Sequence, residues 1–505
     1  MKIQKKQINR QVRNRIVLIG ILAMLGINSF ASRITNPIWL STTGIQIDVT
    51  SIDYGKKSTT IYFTTSRHLE QPFIIRPNIF IVGDDGLCRH AKSVHGIEFG
   101  KEYTLGNGRS MSFSIEFESV GTSNKVLDVR APGNFSIFGL HAQVFELEVP
   151  RTEGNIPSVE SDYSLFEKRD VEIEGVLHDP DKELGDVVQI NYIAPLNQPN
   201  QRNSQSAKID ADGHFQMTFP MYAPQTLWFL QPYKHGFIGP VYARPGDNLV
   251  IELFDPYTRT DIMVDNRNGY ETCNKLSYVP SYSFDTNKYL SNMRSSSLFL
   301  RSSYSEQYDN LLTEYRQALD FAAYVCWHYQ LSPYETSLYL GDILSRYIQW
   351  LLMTDNAAWN ESRYAQSSVK RQQYTDIVNK MDYSYLRWLD PDSPILAVID
   401  DMIMVPSLLY QTALMQNCIN QVKVDDADRL QKVIDMQKDA LERVAGWKGQ
   451  TLMLELLIVQ DFFRMEGIDL DDKANVSSAR ELLHHPYSRQ CFDIYYADYT
   501  SKQTK

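Results

Sequence analysis

"KIDADGHFQMTFP", Lys208 to Pro220, admits two readings that lead to different proteins. Asp210, Asp212 and Gly213 fall where a D-x-D-G calcium loop would place them, and such a loop joins two helices. The same residues also suit a tight reversal between two strands. The flanks decide between them. "SAKID" and "HFQMTFP" alternate apolar and polar residues, which is the period of a strand. A calcium loop would need a bidentate Glu at its twelfth position, and counting from Asp210 puts Met221 there. We therefore expect a β-hairpin, with Asp212 and Gly213 supplying the positive φ angles of its turn.

The surrounding sequence agrees with β-structure. "ARPGDNL", Ala243 to Leu249, is a second turn with Pro245 and Gly246 at its corners. Between the two turns, "TLWFLQPYKHGFIGPVYARPGD" (226–247) carries Trp228, Phe229, Tyr233, Phe237 and Tyr242. Alternation sends about half of such residues into a core and leaves the others free to form a binding surface. These five are the candidate binding residues. A small β domain is expected over 171–256.

Upstream, residues 34–150 read as another β domain. "TTGIQIDVTSID", "TTIYFTTS", "SMSFSIEFES" and "QVFELEVP" alternate with β-branched and aromatic enrichment, and "DDG", "GNG" and "APG" punctuate them. Short strands at this spacing predict an antiparallel sandwich. The polar, aperiodic stretch 151–170 reads as a linker.

Downstream the period changes. In "SEQYDNLLTEYRQALDFAAYVCWHYQ" (305–330), Tyr308, Leu311, Leu312, Tyr315, Leu319 and Ala322 recur at helical spacing. "SPYE" (332–335) predicts a helix start, with Ser332 as N-cap, Pro333 at N1 and Glu335 closing a capping box. "DADRLQKVIDMQKDALERV" (426–444) is amphipathic, and "QTLMLELLIVQDFFRM" (450–465) is apolar nearly all round, hence buried. About eight helices are expected over 282–498. The fold class is therefore multidomain, α and β segregated: two antiparallel β-sandwich-like domains followed by an all-α domain.

Residues 1–31 stand apart. "MKIQKKQINRQVRNR" holds six basic residues and no acid; "IVLIGILAMLGI" and the small residues of "NSFAS" follow. That is the pattern of a secretory signal peptide, and the apolar run is too short to span a bilayer. Export to the periplasm or envelope is expected, with no transmembrane segment after cleavage. Removing six positive charges from a chain of net charge −11 leaves about −17. Such a surface repels phosphate backbones, so nucleic acid is not an expected partner.

Chemistry-bearing motifs are scarce. Cys88, Cys273, Cys326, Cys418 and Cys491 are widely spaced, with no C-x-x-C. Cys326 and His328 in "VCWHYQ" diverge by about 200° on a helix, so they read as core packing rather than nucleophile and base. His484 and His485 lack a ligand at i+3 or i+4 and read as capping or surface residues. The pairs Asp400–Asp401 and Asp425–Asp426 are ordinary in an acidic chain, the second complementing a helix start. No catalytic residue, metal site or cofactor is expected.

The order of parts resembles a known family. "ITNPIWLSTTGIQIDVTSIDYGKKSTTIYF", "HGIEFGKEYTL" and "IFGLHA", followed by "VEIEGVL", "AKIDADGHFQMTFPMYAPQTLWF" and "GPVYARPGDNLVIEL", are similar to the N-terminal, non-thioredoxin region of exported TlpA-like thiol-disulfide oxidoreductases of Gram-negative anaerobes. The resemblance implies the β-β-α scaffold. It also implies that activity would belong to a thioredoxin domain carrying W-C-x-x-C, expected near where this sequence ends. None of the five cysteines matches that motif, so no catalytic residue carries over. Three functions follow as expectations. The first is a non-catalytic envelope protein acting as a binding or assembly module, its unidentified partner drawn from a set that includes thioredoxin-like proteins. The second is the front portion of an oxidoreductase whose thioredoxin domain is missing or separately encoded. The third is a carbohydrate-binding envelope protein presenting the aromatics around Trp228.

Overall fold

The structure, a computed structural model, describes residues 32–44, 47–65, 73–77, 79–105, 109–131, 135–142, 167–177, 186–192, 203–231, 236–253, 262–266, 304–422, 428–464 and 469–503. The expected signal segment, residues 151–166 of the expected linker, Cys273, Tyr233, Asp425 and Asp426 lie outside these residues. The chain divides into two compact units, Met1–Glu148 and Val149–Lys505.

The first unit is mostly antiparallel β-structure. Its strands are β1 (Ser32–Thr35), β2 (Ser41–Gly44), β3 (Ile47–Tyr54), β4 (Ser58–Thr65), β5 (Phe73–Ile74), β6 (Phe80–Gly83), β7 (Cys88–His95), β8 (Glu102–Tyr103), β9 (Ser112–Glu118), β10 (Val126–Ala131) and β11 (Phe135–His141). Nine of them form the order β1-β3-β4-β9-β7-β6-β10-β11-β2, and β5 pairs with β8. The two ends of that order, β1 and β2, come from one short run of chain. Asn36 N–H donates to Thr50 O of β3 at 2.9 Å, and two residues on Ile38 exchanges backbone bonds of 2.9 and 2.8 Å with His141 of β11. The sheet therefore nearly closes on itself as a near-barrel. Asn36 has φ 49°, a left-handed conformation that Asn tolerates better than most residues, and it marks the crossover. Inside lie Ile52, Ile61, Phe63, Ile115, Phe117, Leu127 and Ile137, with Phe63 stacked on Phe113 at 5.1 Å. Each such aliphatic or aromatic side chain contributes roughly 1.5–3 kcal/mol by leaving water.

The second unit opens with β12 (Arg169–Leu177), which starts inside the expected linker. Then come β13 (Val187–Tyr192), β14 (Asn203–Lys208), β15 (His214–Met221), β16 (Gln225–Gln231), β17 (Gly236–Ala243), β18 (Asn248–Leu253) and β19 (Ile262–Asn266). They form two four-stranded sheets, β15-β12-β18-β19 and β14-β13-β16-β17. Both sheets contribute to one core: Ile173, Phe219, Met221 and Ile251 from the first, Val188, Ile190, Leu227 and Val241 from the second. Among the described pairings only β12–β18 is parallel.

One expectation is corrected here. The "DADG" turn is tight, with Gly213 at φ 88°, but it is not the tip of a hairpin within one sheet. It joins β14 of one sheet to β15 of the other. Asp210 holds the turn closed: its Oδ1 accepts the N–H groups of Asp212 at 2.9 Å and His214 at 2.8 Å. The carboxylate is thus spent on the turn itself. The "ARPGD" turn likewise crosses from β17 to β18, with Gly246 at φ 84° and the Arg244 N–H bonded to Asp247 Oδ2 at 2.8 Å. Alternation marks strands and glycine marks reversals, but neither says which sheet a strand joins.

The remaining described residues are helical: α1 (Tyr304–His328), α2 (Pro333–Tyr364), α3 (Ser368–Val378), α4 (Pro394–Val398), α5 (Asp400–Gln411), α6 (Ala413–Asn420), α7 (Arg429–Ala445), α8 (Leu452–Arg464), α9 (Lys473–Glu481) and α10 (Pro486–Gln503), with a 3₁₀ turn at Ser384–Trp388. The predicted capping box is present. Ser332 Oγ accepts Glu335 N–H at 3.2 Å and Glu335 Oε2 accepts Ser332 N–H at 2.9 Å. Along α1, Leu311, Tyr315 and Ala322 are buried, and Tyr315 stacks on Tyr347 of α2 at 4.4 Å. Helix α8 is buried on every side, from Leu452, Met453 and Leu454 through Leu457, Ile458 and Phe462, as its sequence required.

Candidate functional site

The sheet β14-β13-β16-β17 carries the aromatic segment. Val188, Ile190, Tyr192, Ala207, Leu227, Val241 and Ala243 belong to the core, so the alternate positions of each strand lie on the opposite face. The register sorts the candidate residues accordingly. Trp228 pairs with Asn191 and with Pro240, and Thr226 with Tyr242, all of core-opposed parity. Phe229 pairs with Ile190 and shares the core parity. Phe237 pairs with Leu230 just beyond a register shift between Phe229 and Leu230, which puts it in the row beside Trp228. By backbone register the strand positions of Trp228, Phe237 and Tyr242 share one parity, and that of Phe229 does not.

That face has a polar half which sequence reasoning missed. Asn191 pairs with Ser204, and Gln189 with Ser206. Gln189 Nε2 donates to Asn191 Oδ1 at 3.4 Å and also to Ser204 Oγ. The serines are exposed and the two amides half-buried. Gln189, Asn191, Ser204 and Ser206 were visible as polar positions of alternating strands, but their alignment with Trp228 depends on pairing across three strands. The flanking Lys208 is 3.4 Å from Asp186, so the polar half is close to electrically neutral.

Three of the described thiols are held above their ordinary pKa by burial. Burial pushes the Cys326 thiol up to about 11, against a weaker opposing bond from Thr336. Burial also raises Cys418 and, more strongly, the fully enclosed Cys491. Cys418 Sγ donates to Leu414 O at 3.3 Å and lies in a groove of about 370 Å³ between α6 and α7. Cys326, Cys418 and Cys491 form no disulfide. His328 is buried and stacks on Tyr324 at 5.1 Å, whereas Cys326 is half-buried, so the pair does diverge.

The "HH" pair has a structural role that its spacing did not disclose. The N–H groups of His484 and His485 donate to Glu455 Oε1 and Oε2 at 2.7 and 2.8 Å. Gln450 Nε2 donates to Oε1 at 3.0 Å, and Ser488 Oγ to Oε2. Glu455 sits fully buried in α8 and caps the start of α10. Among the described residues no cluster of three or more metal-ligating side chains occurs, and no helix is long and apolar enough to cross a membrane. Comparison with protein-family models, with curated proteins and with solved structures returns no match to this chain.

Proposed function

We propose that this chain is an exported, non-catalytic binding or assembly module of the cell envelope. Its scaffold would be two β-sandwich-like domains and a helical domain, similar to the accessory region of TlpA-like oxidoreductases. The observation that carries the reading is the state of the thiols. A thiol-disulfide enzyme needs a stabilised thiolate, with the thiol pKa lowered by a helix N-terminus or a nearby cation. Burial moves Cys326, Cys418 and Cys491 in the opposite direction. The acidic charge argues against nucleic acid as the partner. The partner is an envelope component, with thioredoxin-like proteins among the candidates.

The test is reduction of insulin disulfides by the purified protein in the presence of a dithiol. The expected rate equals the background without protein. A rate comparable with thioredoxin sinks the proposal. Intact mass of the protein recovered from the envelope tests export: loss of residues 1–31 is expected.

A further inference from the structure

We infer that the groove between α6 and α7 binds a short zwitterionic peptide with apolar side chains. Its floor is apolar, made by Leu414 and Cys418 of α6 and by Met436 and Ala440 of α7. Its rims are polar. Asn417 and Gln421 lie one turn apart along α6 and its C-cap, and Asp439 and Arg443 lie one turn apart on α7. Cys418 and Ala440 are buried, whereas the four rim residues are exposed.

The rim groups are left unengaged where their neighbours are not. On the same two helices, polar side chains four residues apart bond to one another: Gln416 Nε2 donates to Asn420 Oδ1 at 3.1 Å, and Gln431 Nε2 to Asp435 Oδ1 at 3.0 Å. In α2, Asp342 and Arg346 close an ion pair of 3.0 Å across the same spacing. Asp439 and Arg443 repeat that order and spacing, yet among the described residues neither is held in an ion pair. The side chains of Asn417 and Gln421 hold no hydrogen bond to a described residue either. The Cys418 thiol reports where the guanidinium stands. Burial raises its pKa, and the next effect is a lowering by the positive charge of Arg443, which is therefore close to the groove floor.

A peptide with free ends answers this arrangement. Arg443 takes its carboxylate and Asp439 its ammonium. One helical turn separates the two rim charges by about 6 Å. Two extended residues span about 7 Å, so the ends of a short peptide reach both. Asn417 and Gln421 each donate and accept, as a peptide unit requires of what it passes. Leu414 and Met436 give apolar side chains a surface to cover, and Met adapts to irregular shapes. The volume, about 370 Å³, lies toward the small end of ligand sites, roughly 300–1,000 Å³.

The same features turn other ligands away. A simple anion meets Asp439, and a simple cation meets Arg443. The thiol is not poised to hold a metal, since burial favours its protonated form and it donates to Leu414 O at 3.3 Å.

The test titrates the intact protein with Leu-Leu and Leu-Ala-Leu, each also in N-acetylated and C-amidated form. Calorimetry reads affinity, and the methyl resonance of Met436, assigned with Met436→Leu, reads location. Exposed charges hold a ligand weakly. At least one free peptide is nevertheless expected to bind saturably, tighter than about 1 mM, and to shift the Met436 methyl. Blocking either end is expected to weaken binding about tenfold, one ion pair's worth. Arg443→Gln is expected to erase the difference between free and amidated peptide, and Asp439→Asn that between free and acetylated peptide. Both positions are exposed, so the fold is kept. Absence of saturable binding overturns the inference, as does binding that leaves the Met436 methyl unmoved. So does equal binding of free and end-blocked peptides, or a preference for free ends that neither variant alters. None of these outcomes depends on the insulin result, so the two proposals fail separately.

Discussion

Lys168 Nζ and Asp498 Oδ1 lie 2.6 Å apart although 330 residues separate them. The ammonium also sits 5.2 Å from the centre of the Tyr222 ring. The contact ties the entry of the second β region to α10, the last described helix. The hydrogen bond to Asp498 raises the Lys168 pKa, against a smaller desolvation effect in the other direction. A raised pKa means the contribution is complete below the unfolded value of about 10.4 and disappears as pH climbs through the folded value. The pair is part exposed, so its worth is modest, about 0.2–1 kcal/mol. Lys168→Met is expected to loosen α10 at pH 8, seen as faster amide exchange there, and the difference from the parent should shrink as pH climbs through the folded value. Equal exchange in both proteins at pH 8 counts against the contact.

Gly213 cannot carry a side chain. Its φ of 88° suits only glycine, and an added Cβ would overlap the Leu177 carbonyl oxygen. Gly213→Ala is expected to destabilise the second unit by about 2 kcal/mol or more, through strain and a backbone clash together. Asp210→Ala, which removes two bonds to the turn, is expected to lose about 1–2 kcal/mol. Chemical denaturation of the two variants checks both values. A neutral Gly213→Ala would mean the crossing between sheets is built differently.

Glu455 joins α8 to the start of α10, and four donors converge on it. Glu455→Gln keeps the shape but brings an NH₂ group against backbone N–H groups. A loss on the order of 3 kcal/mol is expected, with exchange of the His484 and His485 amides accelerated. Thermal midpoint and amide exchange, read on the same variant, report the two effects.

Asp85 and Arg89 form a two-pronged pair beside the "DDG" turn, at 2.7 and 2.5 Å. Burial alone would raise the Asp85 pKa, but the bonds from Arg89 and from the Leu87 N–H outweigh it, and the net shift is downward. A lowered carboxyl pKa stabilises above the unfolded value of about 3.9 and loses that contribution as pH falls through the folded value. Asp85→Asn is expected to flatten the acid-induced loss of stability of the first unit below about pH 4. An unchanged acid profile rejects the assignment.

The enclosed thiol of Cys491 gives a kinetic readout. It is expected to resist a thiol reagent in the folded protein and to react at the rate of unfolding. Rapid labelling of Cys491 under native conditions contradicts the packing around α10.

Local patterns made much of this legible from the sequence. The Ser332–Glu335 capping box, the apolar stripe of α1 and the all-apolar α8 each depend on neighbours within one or two helical turns, so composition and spacing suffice. The alternation of "HFQMTFP" likewise identified β15, and Gly213 its reversal. These elements are set by backbone sterics and by the period at which apolar side chains can share one face.

What only the tertiary structure decided concerns pairs distant along the chain. It decided that β14 and β15 enter different sheets, that β1 and β2 bring the ends of the nine-stranded order together, and that Glu455 caps a helix about thirty residues away. It also set the backbone register that aligns the strand positions of Ser204, Asn191 and residue 228. No local period encodes such relations. They follow from which strands find each other when apolar faces are buried, and a one-residue change in register would move every one of those side chains to the other face.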